Sequence, residues 1–182
     1  MNEKQCIELL KKYAPDEERF KKVLAHSKAV QKVAMRIAED IVANGHHVDI
    51  KFLINACLLH DIGRFKCPPG KYSYKHGVIG GDILRKEELP EYARVAERHL
   101  GVGITRNDIL TQNLELPAKD YIPKTIEEKI IAYADNLIFG TRVGTIKEVI
   151  ERFRKELGEE YGKRVIELHN EIEKLRGKKN FL

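Results

Sequence analysis

Apolar residues recur along most of this chain at spacings of three and four, the period of helices buried on one face. Residues 3–13 form a short amphipathic segment ended by Pro15. A long segment runs from Asp16 to about Asn44, with Val23, Val30, Val33 and Ile37 spaced for one face and Gly45 just past its end. Asp49 is a fitting N-cap for "IKFLINACLLHDIG", which Gly63 closes. The loop "RFKCPPGKYSY" is rich in turn residues. Helices are expected from His76 to Leu89 and from Pro90, a favoured first-turn residue, to about Leu100. Thr105 can cap a short helix, and Thr125 with Glu128 makes a capping box ahead of "IEEKIIAYADNLIFG". From about Thr145 to Arg176 the chain reads as a highly charged amphipathic helix, with Gly158 or Gly162 as its break point. No hairpin signal or alternating strand interrupts the succession. The pattern predicts an all-α fold, one domain over 1–182 built as a bundle of about 7–9 helices, with 145–176 as a charged C-terminal helical extension.

Composition narrows the class without naming a function. The chain has 182 residues, 42% hydrophobic and 34% charged, and no apolar run of membrane-spanning length, so a soluble globular protein is expected. "MNEKQCIELLKKYA" carries acidic residues and no small-residue cleavage site, which argues against a signal peptide. Cys6, Cys57 and Cys67 are unclustered, which suits a reducing cytoplasm and gives neither a disulfide framework nor a CxxC zinc site. A net charge of +5 mildly favours anionic partners, although a Lys/Glu-rich solvated surface accounts for it as well.

The chemistry lies in polar residues set on apolar faces. His26 falls between Val23 and Val30 on one stripe; His60 is four after Ala56; His76 is three before Ile79. His99 is four after Val95, and Asp135 is four after Ile131. Asp61 follows His60 directly, in "LLHDIGR". A lone inward histidine is more often a satisfied core residue, and His169, between Val165 and Ile172, is read as a packing or interface histidine. Two aspartates and four histidines together are hard to satisfy by hydrogen bonds alone, whereas divalent cations satisfy them directly. Imidazole with carboxylate suits Fe, Mn, Ni, Co or Zn better than Ca or Mg.

The order and spacing of these residues resemble the HD superfamily of metal-dependent phosphohydrolases, in a compact archaeal-type form. His26 matches the first histidine, His60-Asp61 the doublet, and Asp135 the closing aspartate; "HDIG" and "HGVIGGDIL" look like one large branch of the family. The resemblance covers about 20–140. It implies that His26, His60, Asp61 and Asp135 hold one metal and that Asp61, His76 and His99 hold a second. It also implies that a hydroxide bridging the two attacks phosphorus, so that Asp61 is catalytic as well as a ligand. Arg64 stands where relatives keep a basic residue for substrate phosphate, and a surface arginine is the equal alternative. Lys66, Lys71, Lys75, Arg98 and Arg106 lie near the ligand segments and could bind anions, though each alone reads first as surface.

His99 is followed by "LGVGIT", with neither the second histidine nor the GYP signature of the cyclic di-GMP hydrolases. The expected substrate is therefore a small phosphate ester, a nucleotide or related metabolite, cleaved as a monoester or diester. A mixed-valent di-iron oxygenase uses the same ligand order and is the alternative. A non-catalytic metal- or RNA-binding module is the third, and nucleic acid is not the favoured partner. No membrane association is expected, and nothing in the sequence fixes the oligomeric state.

Overall fold

Most helices begin where a side chain takes up backbone donors that the first turn leaves unpaired. In the computed structural model, which describes residues 1–178, Asn2 caps α1 (Glu3–Tyr13), Asp16 caps α2 (Glu17–Ala43) and Asp49 caps α3 (Ile50–Leu59). α4 (His76–Lys86) and α5 (Pro90–Arg98) follow, the latter opened by its proline. Capping boxes start α6 (Arg106–Thr111) at Thr105, α7 (Ile126–Asn136) at Thr125 and α8 (Ile146–Leu157) at Thr145. α9 (Glu159–Leu175) is separated from α8 by Gly158, whose φ of 102° lies where side chains are strained, so the expected break falls there and not at Gly162. The chain is all-α, as its periodicity predicts.

Two details depart from expectation. The helix from Asp49 ends at Leu59, not Gly63; Asp61 leaves the helical basin, and Ile62–Phe65 form a short 3-10 helix. The tighter turn lets Gly63 meet α4 so closely that a Cβ there would collide with the His76 carbonyl. A hairpin does occur: β1 (Ile138–Phe139) pairs antiparallel with β2 (Arg142–Val143) around Gly140, which has φ 70°. Two-residue strands are too short to carry an alternating pattern.

The main core gathers Leu10, Ile41, Leu53, Leu58, Ile62, Leu84, Ile130 and Ile172, all fully buried, with α2 packed against α3 and α7. α8 and α9 form an antiparallel pair over a second cluster of Val102, Val149, Ile150, Phe153 and Val165. His169 of α9 is buried against α7, its Nδ1 sharing a 2.7 Å hydrogen bond with Tyr133 Oη, a packing role as expected. The three cysteines are free and buried, and no described helix is long and apolar enough to cross a membrane.

Candidate metal centre

The fold brings all six sequence-predicted ligands to one cup. His26 comes from mid-α2 and Asp135 from the end of α7, while His60 ends α3, His76 opens α4 and His99 ends α5. Three of the four imidazoles therefore sit at helix ends rather than within helices. His60 and Asp61 do not share a helix, as their adjacency suggested; the chain turns between them. α4 and α5 approach closely because Gly77 has no side chain: a Cβ there would stand 2.7 Å from the Ala96 carbonyl oxygen.

Each imidazole is oriented the same way. Nδ1 meets a backbone carbonyl, that of Gly140 for His26 at 3.1 Å, of Cys57 for His60 at 2.7 Å and of Ala96 for His99 at 2.8 Å; Ser73 serves His76. A carbonyl only accepts, so the proton sits on Nδ1 and Nε2 is turned into the cup. His60 and His99 are buried, and so is His76. Burial holds the His99 pKa down to about 4. Burial also opposes charging of His26, but its bond to Asp135 outweighs that and raises its pKa to about 9. Burial disfavours ionisation of both carboxylates, yet His76 foremost at Asp61, and His26 foremost at Asp135, hold them below the usual carboxylate range.

Asp61 faces both halves of the cup. Its Oδ2 lies 3.7 Å from His26 Nε2, and its Oδ1 lies 3.0 Å from His76 Nε2 and 3.5 Å from His99 Nε2. Asp135 Oδ1 stands 2.9 Å from His26 Nε2 and 3.7 Å from His60 Nε2. Three overlapping groups have ligand atoms within 4.8 Å of one another: His26, His60 and Asp61; His60, His99 and Asp135; and Asp61, His76 and His99.

These residues fit a metal on their own geometry. His60 Nε2 and Asp61 Oδ1 are buried with no hydrogen-bond partner; the 3.0 Å contact of Asp61 Oδ1 with His76 is near but poorly directed. His76 Nε2 and His99 Nε2 face each other at 3.0 Å with both Nδ1 protons already committed, so two neutral rings would oppose lone pairs. A cation resolves both faults at once, since each group needs an electron-pair acceptor. Cys57, fully buried and with its thiol pKa pushed up by burial, adds no thiolate.

The cup opens into a cavity of about 890 Å3. Arg64 lines it, its Nε 3.4 Å from Asp61 Oδ1. The other basic residues singled out by sequence do not line it. Arg98 pairs with Glu128 at 2.9 Å and Lys75 with Glu115 at 2.5 Å. Lys66 and Lys71 lie over the rings of Tyr13 and Tyr72, and Arg106 is exposed elsewhere. Arg19, Lys22 and Arg152 line it instead. The first two lie seven and four residues before His26, so the stripe through His26 was a usable signal; Arg152 left none, because its place depends on how α8 folds back.

A family model for the HD domain matches residues 23–140. An uncharacterised protein of Methanocaldococcus jannaschii is 44% identical over 156 residues, which covers 84% of this chain and 89% of that protein. Two proteins named tRNA (cytidine(56)-2'-O)-methyltransferase, from Picrophilus torridus and Thermoplasma volcanium, are 35% and 34% identical over 97% and 92% of this chain. The matches span only 48% and 46% of those two, about half their length. Among solved structures, the HD domain of the L. monocytogenes phosphodiesterase PgpH superposes with a TM-score of 0.53. Coverage there is 94% of this chain and 97% of that one, at 18% identity, a likeness of fold.

Proposed function

The chain belongs to the HD-domain family, and on that premise we propose that it is a metal-dependent phosphohydrolase acting on a nucleotide or a related phosphate ester. The observation that carries this reading is the aim of the cup: four imidazole Nε2 atoms and two carboxylates converge, and the cavity above them presents Arg64. The PgpH neighbour, a phosphodiesterase by name, is in keeping with it. The relatives named as tRNA methyltransferases favour an RNA-borne phosphate as a second form of the same substrate class.

On this reading His26, His60, Asp61 and Asp135 hold one ion, and Asp61, His76 and His99 hold another. Bound there, a divalent transition metal supplies Lewis-acid chemistry, neutralising phosphate charge and making water nucleophilic near neutral pH. The backbone carbonyls hold a proton on each Nδ1 and turn each Nε2 toward the cup, where that of His26 exchanges its proton to Asp135 for the ion. Asp61 offers one oxygen to each half of the cup. Arg64 orients the reacting phosphate through its guanidinium. No serine or cysteine lines the cavity, and with the lining histidines and aspartates committed to the ions no covalent phosphoenzyme is expected.

Elemental analysis of freshly purified protein, followed by phosphate release from nucleotides, cyclic nucleotides, sugar phosphates and end-phosphorylated RNA, tests this. Metal-dependent release abolished by EDTA is expected. Metal-loaded protein inert to the whole panel, yet consuming oxygen with a polyol or phosphonate, would overturn it in favour of the oxygenase.

A further inference from the structure

Part of the cavity lining comes from stretches of the chain that flank the matched family segment. All six cup residues fall within residues 23–140, whereas Arg19 and Lys22 precede that span and Arg152, Phe153, Glu156 and Leu157 follow it. Arg19 and Lys22 share the α2 stripe that leads down to His26. Arg152 and Glu156 stand one turn apart on α8 and face the same space.

Among these cations Arg152 is the one held in place without a counter-charge. Its guanidinium lies 4.6 Å from the Phe139 ring centre and 5.2 Å from that of Phe153, and its Nη2 donates to the Asn136 carbonyl at 3.2 Å. Among the described residues no carboxylate pairs with it, although nearby Arg154 pairs with Glu159 at 2.9 Å. Arg64, by contrast, already has Asp61 at 3.4 Å. A half-buried guanidinium fixed by two rings keeps most of its N–H donors for the cavity, and its planar fork matches a phosphate.

The cavity is large for one phosphate. At about 890 Å3 it lies near the top of the range for small-molecule sites, roughly 300–1,000 Å3. Glu156 is the one lining carboxylate outside the cup, and it restricts where a second anion can sit.

We propose that Arg152, with Arg19 and Lys22 at the same opening, binds a second phosphate carried on the substrate's leaving group. The preferred substrate is then a nucleoside bisphosphate, not a lone monophosphate. Which phosphate reacts rests on the phosphohydrolase reading; which anion the mouth binds does not. In the reaction the ester P–O bond breaks, water gives its hydroxyl to phosphorus and its proton to the alcohol, and the second phosphate leaves with that alcohol.

Calorimetry on metal-loaded protein, with adenosine 3',5'-bisphosphate and with AMP, separates the two, and kcat/KM for both is measured alongside. Wild type is expected to bind the bisphosphate at least about tenfold tighter than AMP. Arg152→Gln should erase most of that ratio with metal content and Tm retained, and Arg152→Lys should keep part of it, since charge remains and the fork is lost. A ratio unchanged in Arg152→Gln would overturn the proposal, as would an equal loss of AMP and bisphosphate binding. Should Arg152→Gln lower Tm, the exposed double variant Arg19→Gln/Lys22→Gln is expected to reduce the ratio about threefold, and no reduction there would overturn the proposal too. Failure to hydrolyse either compound would count against the phosphohydrolase reading, while the binding ratio would still decide the role of Arg152.

Discussion

In the cup, residues from five separate segments bring charge and lone pairs into the core, leaving His60 Nε2 and Asp61 Oδ1 unanswered. In the α8–α9 pair, Val149, Ile150, Phe153 and Val165 are buried and the charged side chains mostly face outward. The first arrangement is costly unless something is added, by about 1–3 kcal/mol for each buried unsatisfied polar group and more for a charge. The second is complete as it stands. A site that works against burial can be read from sequence because it breaks the apolar pattern. A site built on an ordinary amphipathic helix, such as the Arg152 wall, breaks no pattern and is seen only once the helix is placed.

The contrast can be broken most severely at Asp61. Asp61→Ala should strip most of the metal, measured by elemental analysis, and lower phosphate release at least about 100-fold, because both halves of the cup lose a ligand. Full metal retention in this variant would mean that the cup is not the site. His99→Ala should be more selective: metal per chain falls from two toward one, with the His26–His60–Asp135 side kept. A single tight site that is the same in wild type and variant would reduce the cup to one ion.

Smaller effects sharpen the comparison. Arg64→Ala should lower kcat/KM about tenfold with metal content unchanged, since its guanidinium is proposed to contact substrate rather than the ion; loss of metal would reassign it as a support for Asp61. Thr145→Ala removes the side-chain cap of α8, where Thr145 Oγ1 accepts from Glu148 N at 3.3 Å. It should cost about 1 kcal/mol, a Tm shift of roughly 2–4 °C by thermal unfolding, and leave metal binding intact. A change in metal content there would show that the α8–α9 pair and the cup are not separable.

Sequence made much of this legible, for physical reasons that differ from place to place. Caps at Asp49, Thr105 and Thr125 are local chemistry and were readable as such, while Asp16 and Thr145 read only as helix starts and prove to be caps too. The inward stripe at His26 and Asp135 follows from helical period. The turn between His60 and Asp61 was not legible, because it is set by contact between Gly63 and α4, two segments apart in the chain. Gly63 itself read as a helix stop, when its missing side chain is what allows Asp61 and His76 to meet. The basic mouth was half legible, at Arg19 and Lys22, and at Arg152 not at all.

The carbonyls that aim the imidazoles differ in how far along the chain they lie. For His60, His76 and His99 the partner is three residues back, whereas for His26 it is Gly140, 114 residues away. Closing a contact within one turn takes almost no loop entropy, while closing one across most of the chain takes several times more. Three ligands therefore carry their aim in four-residue words that hold in any context preserving the helix end. His26 alone is aimed by the finished tertiary structure, so a distortion anywhere between α2 and the β1–β2 turn is registered first as a misdirected His26.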